Sequence, residues 1–193
     1  MADHKKTFSQ IIHDHQQLIE KLWGFEETIL NISTLLIKSV QENRTIFWYG
    51  NGGSASDAQH MAAELVGRFK RERRALKSIA LTTDSSILTA VGNDYGYEHI
   101  FRRQVEAFAA PGDICIGLST SGNSENVSLA HKQAKEQGAT TISLLGNDGG
   151  KIKGVSDLSV VVPSKNTARI QEAHTLISHT LCDLVEQSLV STS

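Results

Sequence analysis

Five short, largely apolar runs, four of them followed by a helical pattern, constrain the fold of this chain more than any other feature. They occupy residues 45–49, 78–81, 113–118, 141–145 and 158–162, and the last stops at Pro163. Helical patterns follow over residues 55–68, 86–91, 97–108 and 125–137, with a long final one over 167–189. Ile114-Cys115-Ile116-Gly117-Leu118, the most apolar of them, reads as a parallel strand buried on both faces. Strand–helix alternation then predicts an α/β fold, a doubly wound and mostly parallel five-stranded sheet flanked by helices. Gly92-Asn93-Asp94-Tyr95-Gly96 reads as a polar loop between helical pieces, and Gly146-Asn147-Asp148-Gly149-Gly150 ends the fourth strand.

Residues 1–43 are helical in pattern and precede the first strand. Ile11, Ile12, Leu18, Ile19 and Leu22 recur near helical spacing; Ile29, Ile32, Leu35, Leu36 and Val40 repeat the signal after a break at Gly24. Such a helical pair cannot bury its apolar faces on itself. It is expected to pack on the domain, on another subunit, or on both. The chain of 193 residues therefore reads as one domain over 1–193, with 1–43 serving packing and oligomerisation.

Nineteen basic residues against 21 acidic give a net charge of −2, which makes no global case for nucleic acid or an anionic membrane. The basic run Lys70-Arg71-Glu72-Arg73-Arg74 is the local exception and reads as a solvated loop. Cys115 and Cys182 fall in apolar stretches and read as small core residues. No apolar run approaches a membrane span and no signal peptide is read at the start, so a reducing, cytoplasmic setting is expected.

Ligands of such sheets sit beyond the carboxyl ends of the strands, which puts two loops on one rim. Ser119-Thr120-Ser121-Gly122-Asn123-Ser124 follows the third strand and opens a helix. Its hydroxyls, the backbone freedom of Gly122 and the free N–H groups of the helix suit a phosphate without help from Lys or Arg. Gly50-Asn51-Gly52-Gly53-Ser54-Ala55 follows the first strand and fits the loose G-x-G-x-x-A dinucleotide fingerprint. No acid ends a second strand about 20 residues on, and no Gly-Lys-Ser/Thr follows for a P-loop. A tight turn that needs glycines is the plain alternative.

The helix after that loop carries Asp57, His60 and Glu64 on one face. His and Glu four residues apart can share a divalent metal, or the Glu can act as a base oriented by the His. A polar helix face satisfies the same pattern. The final helix offers Gln171, Glu172, His174 and His179. Gln171 lies about 80° from His179 around the helix and Glu172 about 20°, so either can join His179 and spacing does not choose. A His on this otherwise apolar helix also fits a satisfied core residue. Asn93 and Asp94 can bond sugar hydroxyls or cap a helix. His4, His13, His15 and His131 show no partner pattern and read as surface residues.

Together these stretches, with Arg169-Ile170-Gln171-Glu172, resemble in order the sugar isomerase (SIS) domain and, within it, the bacterial phosphoheptose isomerases. The resemblance covers essentially the whole chain. It implies an aldose–ketose isomerase that converts sedoheptulose 7-phosphate to D-glycero-D-manno-heptose 7-phosphate through an enediol. That reaction opens ADP- or GDP-heptose synthesis for lipopolysaccharide or capsule. By the same resemblance, Ser119, Thr120, Ser121 and Ser124 hold the phosphate, while Asn51, Gly52, Gly53, Asn93 and Asp94 line the sugar, with Glu64 and Gln171 also at the substrate. It further implies Zn(2+), one per subunit, on His60, Glu64, Gln171 and His179, and an acid/base pair of Glu64 and His179. A homotetramer with active sites at subunit contacts is implied as well. Some members have an acid just before Arg169; this chain has Ala168, and no role is expected there. A relative of the same fold binds the replication initiator without isomerase activity, and resembles a member that lost the matching Glu and distal His. Both residues are present here, which favours the enzyme.

Overall fold

The computed structural model describes residues 2–190; residue 1 and residues 191–193, the ends of the expected 1–193 span, lie outside the described residues. Strands β1 (Ile46–Gly50), β2 (Ser78–Ala80), β3 (Ile114–Ser119), β4 (Thr140–Leu145) and β5 (Leu158–Val161) form one sheet in the order β2-β1-β3-β4-β5. Every pairing is parallel, so the sheet is wholly rather than mostly parallel. The helices are α1 (Ala2–Lys21), α2 (Glu26–Gln41), α3 (Gly53–Val66), α4 (Ser85–Asp94), α5 (Arg102–Phe108), α6 (Glu125–Glu136), α7 (Gly150–Lys153) and α8 (Thr167–Val190). A 3₁₀ turn over Leu22–Phe25, containing Gly24, joins α1 to α2 where the break is expected.

Successive side chains of a strand point to opposite faces, and β1 divides accordingly. Ile46 and Trp48 enter a core layer built with α2, α3 and α8, while Phe47 and Tyr49 enter a second layer with α5, α6 and α7. The central strands β1 and β3 are buried along their whole length. This explains why they read as continuous apolar runs. Among the described residues, no helix is long and apolar enough to cross a membrane.

The strand order reverses between β1 and β3, and such a reversal opens a crevice at the carboxyl ends of the two strands. Gly50 pairs with Leu118 in register, so the loops after β1 and β3 leave the sheet side by side.

Two sequence expectations are corrected. Gly92, Asn93 and Asp94 are not a loop but the last turn of α4. Asp84 caps that helix by accepting the Ile87 N–H, Leu88 and Val91 pack on the second core layer, and these carry the helix through Gly92; it ends before Gly96, at φ 97°. His131 is not a surface residue: it is fully buried, on the α6 face that also carries Val127 and Ala134. Gly117 on β3 makes room for its ring, since a Cβ there would lie 2.7 Å from His131 Cε1.

His131 belongs to a buried hydrogen-bonded chain. Its Nδ1 lies 2.6 Å from the Tyr49 hydroxyl and its Nε2 lies 2.6 Å from Ser143 Oγ. Ser143 Oγ meets Ser156 Oγ at 2.6 Å, and Ser156 Oγ donates to the Ile152 carbonyl at 2.8 Å. A carbonyl only accepts, and each serine has one proton to give. Ser156 therefore accepts from Ser143, Ser143 accepts from Nε2–H, and the bare Nδ1 accepts from Tyr49. Burial suits this arrangement, holding the imidazole down to about 3 and raising the Tyr49 phenol well above its ordinary value.

Tyr49→Phe removes the proton that His131 Nδ1 accepts and leaves a buried acceptor unpaired. It is expected to cost about 1–3 kcal/mol, read as a lower midpoint in chemical denaturation with an unchanged slope. A pH dependence follows as well. Burial holds His131 down to about 3 and His174 down to about 4, against 6.5 for a free imidazole. Below pH 6.5 the unfolded chain therefore binds more protons than the folded one. Stability is fully present above that pH and declines toward pH 4 by about 1.4 kcal/mol per pH unit for each histidine. Thermal melting at stepped pH checks this; a melting temperature that rises from pH 6.5 to 4.5 contradicts it.

Candidate active site

The loop after β3 is a compact hydroxyl cluster. Ser119 Oγ lies 2.9 Å from Ser124 Oγ and 3.4 Å from Ser121 Oγ. The Gly122 N–H donates to Ser119 Oγ at 3.2 Å, and the Asn123 N–H donates to Ser121 Oγ at 3.1 Å. Gly122 has a positive φ of 69°, and a Cβ on it would collide with the backbone of Gly149. The Ile152 N–H donates to the Gly122 carbonyl at 3.0 Å, so the stretch that opens α7 buttresses the loop from behind. Asn147 Nδ2 adds a bond to the Thr120 carbonyl at 2.8 Å. Ser124 stands at the N-cap of α6 without capping it through its side chain, which leaves the hydroxyl and the positive end of the helix facing the rim.

Beside it, Asn51 is clamped. Its Nδ2 donates to Asn126 Oδ1 and Asn126 Nδ2 donates back to Asn51 Oδ1, both at 2.9 Å. The Tyr97 hydroxyl donates to Asn51 Oδ1 at 3.0 Å. These residues, with Ser124, line an open cleft of about 300 Å³. Sequence reasoning named neither Asn126 nor Tyr97. The sequence offered only an Asn just after the Ser119 loop; the structure leaves it 2% exposed, where a buried amide needs partners. Gly52 takes φ 58°, and a Cβ on Gly53 would collide with the side-chain amide of Gln171. Gln171 therefore sits on the rim, at the start of α3. Asn93 and Asp94 are exposed at the end of α4, bonded to each other at 2.7 Å.

The second set of candidates lies along the contact of α3 and α8. The helices run side by side in the same direction: Gly53 meets Gln171, Thr175 Oγ1 donates to Asp57 Oδ1 at 3.1 Å, and the His60 ring stands edge-on to His179 at 4.9 Å. His60 Nε2 lies 3.0 Å from Glu64 Oε1. One ligand atom each from His60, Glu64 and His179 falls within 4.8 Å of the others. Burial, then the neighbouring His60, lower the proton affinity of His179, with Glu64 and Asp57 opposing. Burial raises that of Asp57. Two imidazoles and a carboxylate form the donor set that zinc favours, so the residues present fit the ion.

Gln171 and Glu172, the two candidates for a partner of His179, point to different places. Glu172 turns away to Arg169 and to His15, 2.6 Å off, which also gives His15 the partner the sequence did not suggest. Gln171 precedes His179 by eight residues (171 to 179), about 12 Å of helical rise; it lies against Gly53 at the start of α3, while His179 lies beside His60 further along the same helix. His174 is a core residue, with Nε2 3.0 Å from the Leu145 carbonyl.

The SIS domain family profile matches residues 10–146 of the chain. A phosphoheptose isomerase of Nitratiruptor sp. is 54% identical over 178 residues, covering 91% of this chain and 94% of that protein. The solved phosphoheptose isomerase of Neisseria gonorrhoeae superposes with a TM-score of 0.90 at 40% identity, covering 95% of this chain and 98% of that one. That of Francisella tularensis does so with a TM-score of 0.92 at 34% identity and the same coverage, 95% and 98%. With this fold, these two loops and these levels of identity, the chain belongs to the phosphoheptose isomerase family of SIS-domain proteins and is an aldose–ketose isomerase.

Proposed function

We propose that the chain converts sedoheptulose 7-phosphate to D-glycero-D-manno-heptose 7-phosphate in the cytoplasm, opening ADP- or GDP-heptose synthesis for lipopolysaccharide or capsule. The observation that carries this reading is the convergence of His60, Glu64 and His179 from two helices in a chain so similar to phosphoheptose isomerases. The phosphate rests on Ser119, Thr120, Ser121 and Ser124, and Asn51, Gly52, Gly53, Asn93, Asp94 and Gln171 receive the sugar hydroxyls. On the open-chain ketose, Glu64 takes the proton from C1 while His179 gives one to the C2 oxygen, leaving a cis-enediol. The O1 proton then leaves as C2 takes up a proton, and the C1 carbonyl of the aldose results. Zn(2+), one per subunit and held by His60, Glu64 and His179 with Gln171, supplies Lewis-acid polarisation of the sugar oxygens when bound.

Helix length favours a site completed by a second copy. From Gly53 on the rim to Glu64 is eleven residues (53 to 64), about 16 Å of rise along α3. Gln171, on the rim, reaches the His60–Glu64–His179 group of another protomer rather than its own. An apolar groove of about 380 Å³ between the first two helices and α8, lined by Leu22, Trp23, Leu30 and Leu176, supports assembly as a homotetramer. Trp23 is 77% exposed in the single chain, an unusual amount of aromatic surface to leave in water. The alternative, a non-catalytic adaptor for the replication initiator, has no need of a facing Glu64 and His179.

An NMR assay with sedoheptulose 7-phosphate is expected to show aldose product. Glu64→Gln should lower kcat by roughly 10²–10⁴-fold, and chelation should lower it reversibly, with zinc restoring it. No product before or after zinc addition overturns the enzyme reading. Tyr97→Phe loosens the Asn51 clamp by one hydrogen bond, worth about 1 kcal/mol. It should raise KM roughly fivefold and leave kcat nearly unchanged; an unaltered KM removes Asn51 from substrate binding.

A further inference from the structure

Residues 67–77, between α3 and β2, form no regular element, and the sequence pattern reads their basic run as solvated. The structure leaves Lys70, Glu72 and Arg74 exposed and pins the backbone of the loop. Backbone N–H groups of Phe69, Lys70 and Arg71 donate to the Glu186 carboxylate at 2.7, 2.8 and 3.0 Å. That carboxylate is 0% exposed and meets Arg73 Nη2 at 3.1 Å. Arg73 also donates to the carbonyls of Glu64 and Gly67, each at 2.7 Å. Lys70 and Arg71 both reach Asp183. Three successive N–H groups around one oxyanion fix the curl of a loop, and a buried carboxylate persists only when satisfied in this way.

That curl sets Phe69 flat against His179, with ring centroids 5.1 Å apart and planes 11° from parallel. His60 stands edge-on to the same imidazole, at 81°. Glu186 follows His179 by seven residues (179 to 186), two turns along the same face of α8. One helix thus carries both the histidine and the anchor of the loop that stacks on it, and Arg73 ties that loop to the backbone of Glu64. An imidazole on its own has a broad, two-fold freedom about its last torsion.

We propose that Phe69, held by Glu186 and Arg73, is a positioning residue for His179, fixing the imidazole plane for proton transfer. The proposal rests on the role of His179 given above. Phe69 stacks on the histidine, so its loss is expected to act on turnover more than on substrate affinity.

Phe69→Leu keeps apolar bulk and removes the flat face. Expected are a kcat lower by roughly tenfold or more, a KM within twofold of the parent, and loss of the upfield ring-current shift of the His179 Cε1–H resonance. That resonance is assigned by its absence from His179→Gln. Phe69→Tyr should restore both kcat and the shift. Glu186→Gln, which keeps an oxygen acceptor but removes the charge facing Arg73, should reproduce the loss of shift; it also supplies the readings if Phe69→Leu does not fold. An unchanged His179 resonance in Phe69→Leu or in Glu186→Gln overturns the proposal, as does a lowered kcat that Phe69→Tyr fails to restore. Full turnover by His179→Gln instead overturns the catalytic reading of His179, whatever the resonance does.

Discussion

The parallel pairing of β1 with β3 decides where everything else in this molecule lies. These strands are far apart in sequence, and their register, with Gly50 against Leu118, brings the Asn51 loop and the Ser119 loop out at one point. Successive connections leave in opposite directions from that pair, so nothing fills the space beyond it. Each loop is then stiffened from outside itself. Asn126 and Tyr97 hold Asn51, and the backbone around Gly149 backs Gly122. A polar loop braced in this way presents its hydroxyls and N–H groups without reorganising, which is what binding an anion at a helix terminus requires.

The contact of α3 with α8 does the equivalent for the chemistry. Because both helices run the same way across one face of the sheet, residues at similar depths meet: Asp57 with Thr175, then His60 and Glu64 with His179. The contact is closed at its far end by the Glu186–Arg73 pair and the loop wrapped on it. Charge is thereby buried where it fixes geometry. Removing one partner of such a pair strands the other, so the brace and the site stand or fall together.

The layered core shows the same economy on the opposite face. Tyr49, His131, Ser143 and Ser156 place four polar side chains where an apolar layer is expected, and the chain closes because every proton has one acceptor. It links β1, α6 and β4 to the segment that buttresses the Ser119 loop. The fold's two rim loops are thus joined through the interior as well as across the crevice.

Much of this was legible in the sequence. Apolar runs at the central strands announce burial on both faces, and alternation with helices then leaves a wound parallel sheet. The Ser119 and Asn51 loops were visible because glycine and hydroxyl residues directly follow strands. His60 and Glu64 were readable as a pair because four residues make one helical turn. His131 was also readable, since Val127, His131 and Ala134 share a face, but its buried partners come from other strands and its polarity suggested the surface. Gly92 to Asp94 looked like a loop because their composition is turn-like, whereas Leu88, Val91 and the Asp84 cap carry the helix through them.

By itself, then, the sequence determined the class of fold, the rim on which a ligand sits, and the local pairs that a helix or a turn imposes, because each depends on neighbours within a few residues. Only the tertiary structure decided which helix faces which. It sent Glu172 to His15, left Gln171 on the rim, brought His179 to His60 and Glu64, and curled a basic loop around Glu186 to lay Phe69 on that histidine. Those contacts join residues more than a hundred positions apart. Their distances are set by how two helices pack on a shared sheet, and no local spacing rule contains that information.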